Sequence, residues 1–413
     1  MARGPQLTRP ALILAIAASL LLAMSGNAQA QSFSDAVQNA LSFQCRGLQG
    51  PSGNYQSSLD SICTAIPSVQ GSSSGGSIAS QGSAGAGAEA RRILLRLEES
   101  RQDARRDLGI RAASADEAMQ QGRLGFFLTS EFEWINKTSS PNEAAFESFS
   151  KGLIAGGDYA ILPWLTAGAA IHYSRINGDF GGDGGHFTTD AIGFTVYGSA
   201  SPFPNMFIDA TMGYIHREYE ITRRANFIAP NGTVVDGFAD GNTAGNEFNL
   251  SVLGGYDVPF KALTIGPRVG INYSTNDIAG YSEVGQQNKP DFDTGLEVAY
   301  DGQHRESLVT KIGFLASYAL GVGFGVLVPQ ISAEWVHEFL NDQRVIYFRF
   351  REDNAGTRLR FQTDKPDRDY FHVGAGLVMV FPKDVSAFVS YQVLLGYNDR
   401  IAHTLNAGLR IGF

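Results

Sequence analysis

The sequence predicts an all-β transmembrane barrel of twelve antiparallel strands, preceded by a short helical region. Three observations carry this. First, His403 to Phe413 alternate strictly, with Leu405, Ala407, Leu409, Ile411 and Phe413 on one face and Thr404, Asn406, Gly408, Arg410 and Gly412 on the other. A strand that is greasy on one side and polar or tiny on the other suits a wall with lipid outside and polar filling inside. Second, the same period-two pattern recurs in eleven further segments from Arg123 onward. Third, the connections alternate between short turns and long polar loops, the rim asymmetry of outer-membrane barrels.

Residues 1–30 read as a secretory signal peptide. Arg3 and Arg9 precede an apolar run from Ala11 to Met24, and Ala28-Gln29-Ala30 supplies the small residues of a cleavage site. The run is shorter than the ~20 apolar residues of a spanning helix, and no later segment has one. With 27 Phe, 15 Tyr and 48 Gly, an exported chain of this kind is either soluble or a barrel. The net charge of −9, without a long basic run, argues against a nucleic-acid partner.

Residues 31–67 read as a small helical hairpin. Ala36, Leu41 and Phe43 lie on one helix, Leu59 and Ile62 on the other, with Gly47, Gly50, Pro51 and Gly53 at the turn. Cys45 and Cys63 are expected to form one disulfide in an oxidising compartment, the alternative being two free thiols. Such a hairpin is too small to have much core of its own. Residues 68–87 are a Gly/Ser-rich linker. Residues 88–122 read as a linker helix. Arg91, Arg92, Arg96, Arg101, Arg105 and Arg106 are interleaved with Glu98, Glu99, Asp103 and Asp107, and the apolar content of the stretch to about Leu108 is small: Ile93, Leu94, Leu95 and Leu97. A helix this polar is either solvated or runs through a polar cavity. Ser114 with Glu117 resembles a capping box opening a further turn.

Residues 123–413 carry the alternation. The first strand sets Leu124, Phe126 and Leu128 against Gly125, Thr129 and Glu131. The seventh sets Leu263, Ile265, Val269, Ile271 and Tyr273 against Thr264, Gly266, Arg268, Gly270 and Asn272. Short turns fall at Leu162-Pro163, Pro202 to Asn205, Pro259-Phe260, Gly321 to Gly325 and Pro382-Lys383. Long loops are expected at Asn136 to Ala145, Gly178 to Gly185, Thr222 to Asn246, Asn276 to Arg305 and Asn341 to Asp369.

Several stretches of this region together resemble the translocator β-domain of autotransporters (type V secretion). They are His172-Tyr173-Ser174-Arg175, Tyr219 to Arg224 (YEITRR), Gly325 to Glu338 (GVLVPQISAEWVHE), Pro366 to Phe371 (PDRDYF), Ser386 to Tyr391, and the closing Leu405 to Phe413. The resemblance implies a monomeric barrel in the outer membrane of a Gram-negative bacterium, with a helix threading its lumen and long loops at the cell surface. It also implies insertion by the barrel assembly machinery, with periplasmic chaperones, reading the terminal strand at Phe413, Ile411 and Leu409. In that setting Arg91, Arg92, Arg96, Arg101 and Arg105 are expected beside the lumen-facing acids Glu131, Glu133, Asp158, Asp209, Glu334 and Glu338. The chain departs from the family in its passenger: only residues 31–87 are available, without solenoid repeats. An Asn-Asn self-cleavage junction is also missing, so release of a free passenger is not expected.

Catalytic and cofactor signatures do not emerge. Gly71 to Gly75 (GSSSG) matches a nucleophile elbow by letter but lacks its strand-to-helix context. No HExxH or metal-spaced Cys/His cluster occurs. Asp240-Gly241-Asn242 and Asp291 to Asp293 lack EF-hand spacing and read as solvated loop; Asn231-Gly232 reads as a turn. His337 lies near Glu334 and Glu338 but on the opposite strand face. The expectation is a non-enzymatic barrel, without cofactor or metal, that anchors or translocates its own N-terminal segment. The rival readings are a surface adhesin or structural barrel whose extracellular loops bind an unknown ligand, and a porin-like channel.

Overall fold

The structure is a computed structural model, and it describes residues 93, 94, 97, 123–140, 142–228, 234–285, 297–351 and 358–413. The expected signal peptide, the Cys45–Cys63 hairpin, the linker and the arginines of the linker helix lie outside the described residues.

Twelve strands form the wall: β1 (Leu124–Lys137), β2 (Phe146–Leu162), β3 (Leu165–Phe180), β4 (Gly185–Ala200), β5 (Met206–Ile228), β6 (Val234–Tyr256), β7 (Leu263–Ile278), β8 (Gln303–Tyr318), β9 (Gly325–Glu338), β10 (Asp369–Phe381), β11 (Val385–Leu395) and β12 (Arg400–Gly412). Each pairs antiparallel with its neighbours in sequence, and β1 pairs with β12 to close the ring. In that seam Phe126 faces Ile411 and Leu128 faces Leu409. The C-terminal residue is part of the seam: Phe413 N donates to Leu124 O at 2.8 Å, and its ring meets Phe126 edge-on at 6.1 Å. Closure satisfies every wall strand on both edges, which is what lipid demands.

The alternation behaves as the sequence implies. Neighbouring residues on β3 show it plainly: Ala170 is 2% exposed and Ile171 64%. Large apolar side chains cover the outside of the wall. Exposed aromatic residues gather at two levels. Tyr159, Trp164, Tyr256, Phe260, Tyr318, Phe324 and Phe413 lie near the short turns, and Trp134, Tyr173, Tyr214, Trp335, Phe371 and Tyr391 lie toward the other end. On β3, Leu165 beside the lower level and Tyr173 in the upper one are separated by a strand length that spans about 20 Å of bilayer at ordinary tilt, close to the apolar band of an outer membrane.

Inward glycines have a packing role. Gly156, Gly168, Gly178, Gly255 and Gly408 lie directly across from Phe127, Tyr197, Phe187, Phe207 and Phe388, whose rings occupy the space a Cβ would need. The ring covers the bare backbone of its neighbour, a cross-strand device that pins register.

The long connections differ from expectation. Most of Thr222 to Asn246 is strand: β5 and β6 continue as a tall hairpin paired through Ile228 and Val234. Beyond the bilayer the outer face no longer has to be apolar, so Glu218, Glu220 and Thr222 point outward while Arg217, Tyr219 and Ile221 point in. Asp240-Gly241-Asn242 accordingly sits within β6 rather than at a loop tip. Gly178 to Gly185 contracts to a one-turn link, Gly181–Asp183, in which Gly182 has φ +67°. The two longest connections build a four-stranded sheet, in the order Leu359–Gln362, Val345–Phe350, Val298–Tyr300, Tyr281–Ser282. Asn231-Gly232 and Asp291 to Asp293 lie outside the described residues.

Candidate functional site

The lumen of a barrel decides what passes through it, and here it is filled at three levels. Near the short-turn end, Ile93, Leu94 and Leu97 are helical and buried among Phe127, Ile154, Ala170 and Tyr197, with Leu253 packed alongside. All five wall residues lie on the inward parity of their strands. A helix face with three apolar residues buries itself in lipid-free space only where the wall supplies apolar partners at the same height.

At mid-height the filling is polar. A cavity of about 70 Å³ is lined by Glu133, Asn272, Arg305, Lys311, Glu338, His372 and Arg400, among others. Wall residues hold several of the acids. Thr404 Oγ1 donates to Glu133 at 3.3 Å, and the Leu308 and Leu340 amides donate to Glu338 at 3.0 Å. Lower in the barrel Asp158 lies 3.1 Å from Arg410 and accepts from Tyr197 Oη, Ser199 donates to Asp209 at 2.7 Å, and Arg268 pairs with Asp257 at 2.6 Å. Glu131, Asp158, Asp209 and Glu338 are buried, while Glu133 and Glu334 are half-buried on the same inward face. Arg91, Arg92, Arg96, Arg101 and Arg105 lie outside the described residues.

At the far mouth the four-stranded sheet folds over the opening. Tyr281, Val298, Tyr300, Ile346, Phe348, Phe350 and Phe361 from the cap pack against inward Ile135, Phe146, Phe180, Phe187, Tyr219, Ile221, Ile278 and Ala402 of the wall. Phe348 is at the centre, fully buried, with ring contacts to Tyr300, Phe350 and Phe361. Ion pairs fasten the rim. Lys137 Nζ lies 2.6 Å from Asp399, 3.1 Å from Asp364 and 3.5 Å from Glu143, so one ammonium ties β1 to three separate connections. Ser140 and Asn142 donate to Asp364 as well. Arg223 grips Glu283 with two nitrogens, at 2.9 and 2.6 Å, fixing the tall hairpin to the cap. Arg358 pairs with Asp301 and stacks over Tyr347 at 3.9 Å. Burial raises the Glu143 carboxyl above the ordinary range despite Lys137. Burial, and then the nearby Arg305 charge, lower Arg344 to about 10.

The cap has no counterpart in the sequence expectations. Its signals were present: inward-parity Ile135, Phe146, Phe180 and Phe187 are apolar where the lumen was expected to be polar, and Val345–Phe350 (VIYFRF) is strand-like. His337 lies outside with Asp369 Oδ1 at 2.8 Å from Nδ1, and Trp335 Nε1 donates to the same oxygen at 3.0 Å. Glu334 and Glu338 face inward, away from it. Leu409, Ile411 and Phe413 all face lipid and are exposed.

A closed antiparallel barrel with an apolar exterior, two aromatic levels and a filled lumen is an outer-membrane β-barrel. The chain belongs to the autotransporter β-domain family, whose model, "Autotransporter beta-domain", matches residues 101–392. The fold is similar to the translocator domain of autotransporter NalP from Neisseria meningitidis, at 16% identity and a TM-score of 0.55, covering 76% of this chain and 98% of that one. Also similar are the β-domain of the Bordetella autotransporter BrkA (13% identity, TM-score 0.47, 70% of this chain and 100% of that one) and the transport unit of AIDA-I from Escherichia coli (13%, 0.42, 76% and 99%). Comparison with curated protein sequences found no match.

Proposed function

We propose that this barrel anchors and exports its own short N-terminal segment, residues 31–87, and does so without catalysis. The observation that carries this is the burial of Ile93, Leu94 and Leu97 against inward wall residues. These three residues lie inside the barrel, where a chain that passes through the lumen toward the mouth would run. In this reading the long-connection end faces outside, the arginines of residues 88–108 run beside the inward acids, and the barrel assembly machinery inserts the chain from its lipid-facing C-terminal strand. An epitope tag at Gly75 tests it. Labelling on intact cells supports export; a tag reached only after permeabilisation contradicts it.

The cap favours an anchor over a diffusion pore. Deleting residues 88–108 alone is expected to leave conductance in planar bilayers small, because the apolar core at the mouth still stands. Replacing residues 281–300 and 343–363 with Gly-Ser links in addition is expected to open the barrel. A large, steady conductance from the intact chain would contradict the reading.

A further inference from the structure

We propose that the outer face of β2 and β3 is a binding site for a phosphorylated glycolipid headgroup of the outer leaflet, held between Lys151 and Arg175. The two residues are direct cross-strand partners, and both lie on the outward parity of their strands. Lys151 is exposed, and the Arg175 side chain is 43% exposed. Like charges directly opposite in a sheet repel; Asp190 faces Arg175 from its other side, which leaves Lys151 as the cation for which a bound anion would relieve the repulsion.

Their depth points to the ligand. Lys151 stands eight residues above Tyr159 of the lower aromatic level on the same strand, roughly 20 Å up a tilted wall. That is the top of the apolar band, where lipid phosphates lie. Directly beside the cations, Phe132, Phe149 and Trp134 form an outward aromatic cluster, with ring separations of 6.3 and 5.2 Å. A glycolipid offers both partners: acyl chains for the rings and a phosphate for the charges.

The pair is also singular. Among the described residues of the twelve strands, outward-facing Lys and Arg are limited to Lys151, Arg175 and Arg224. Arg224 lies far up the tall hairpin and is paired with Asp183. Among the described residues the Lys151 side chain has no hydrogen-bond or ion-pair partner. On its other side Arg175 faces Asp190 across the strand pair, at 3.7 Å, and Tyr173, which also lies beside Arg175, donates to that carboxylate at 2.6 Å. Next to the pair, Glu218 faces Asp190 and closes the site on that side, and farther round the wall the outer face carries His304, Glu306 and Asp369. The occupant is assigned to the outer leaflet because the long-connection end is read as extracellular, so the inference rests on the proposed orientation.

The test uses the full chain, folded in detergent, titrated with diphosphoryl lipid A and followed by native mass spectrometry. Lys151→Gln with Arg175→Gln is expected to lower lipid A retention about tenfold. Arg224→Gln should leave it unchanged, and lipid A stripped of phosphate should bind the unsubstituted chain as weakly as lipid A binds the double variant. Heat-dependent gel mobility verifies that each variant is folded. Equal retention by the unsubstituted chain and a folded double variant overturns the site, and equally tight, Lys151-dependent binding of phosphatidylglycerol overturns the choice of glycolipid. Orientation is read separately, by labelling Asp342→Cys on intact cells. A cysteine protected there, with lipid A still bound in detergent, sinks the orientation and not the site chemistry.

Discussion

Replacing Lys137 by Met tests whether the mouth is a folded, separately fastened unit. The Lys137 side chain is 1% exposed, Glu143 4%, and Asp364 and Asp399 22% each. Methionine preserves the stem and its packing and removes only the charge. Breaking a buried ion cluster from one side costs about 3–5 kcal/mol, because the remaining charges stay buried without a partner. Two of the three acids keep some water contact, which puts the cost at the lower end, about 3 kcal/mol. That raises the population of cap-open molecules about a hundredfold. Opening of this kind is local, since wall strands keep their own ladders. The assay is amide hydrogen exchange. The Thr138 amide, bonded to Asp399 O, and the Thr363 amide, bonded to Arg344 O, should lose protection, while amides in the centres of β2 and β3 should keep theirs. Unchanged exchange at Thr138 and Thr363 in a folded variant refutes the latch. An equal loss throughout the wall refutes the idea that the cap opens on its own.

Glu143 gives a pH dependence of defined sign. Its carboxyl titrates higher in the fold than when unfolded, so its contribution to stability is fully present below the ordinary carboxylate value and is lost as pH rises through the raised one. Glu143→Gln should therefore gain cap protection relative to the unsubstituted chain as pH climbs toward neutrality; a gap that shrinks instead contradicts the burial argument. Phe348→Ala empties the centre of the mouth core and should cost about 3–5 kcal/mol, enough to expose Arg349 to trypsin while the barrel band persists on gels. Cleavage no faster than in the unsubstituted chain argues against a single cooperative cap. Deleting Phe413 removes two seam hydrogen bonds and the ring on Phe126, and is expected to reduce folded barrel in outer-membrane fractions several-fold. Undiminished assembly would speak against a role for the terminal residue.

The wall was legible because lipid imposes a rule on every second residue. Ile171 and Ile192 have to be apolar outside, and that requirement marks all twelve strands and their short turns. The rule lapses above the bilayer. The upper halves of β5 and β6 carry Glu218 and Glu220 outside and Arg217 inside, which reads as loop although the ladder continues to Ile228. The lumen was only half legible for the same reason. Inward acids such as Asp158 and Asp209 announce a polar interior, but Phe127, Ile154 and Tyr197 have meaning only beside Ile93, Leu94 and Leu97, which are distant in sequence. Lys137 was hidden more deeply. Its partners Glu143, Asp364 and Asp399 come from three connections, and a single strand pattern holds no trace of that convergence.

The mouth core draws on Ile135 of the first strand and Ala402 of the last. It therefore has no complete set of partners until the two ends of the chain have met across the seam. Order in time follows from this. The lid is therefore expected to settle after the ring closes, because long-range closure has to precede the contacts that depend on it. On the proposed export function, passage of the N-terminal segment belongs to the interval before the lid settles. If the segment is exported as proposed, the rate at which the lid settles, rather than its final strength, bounds the time available for it.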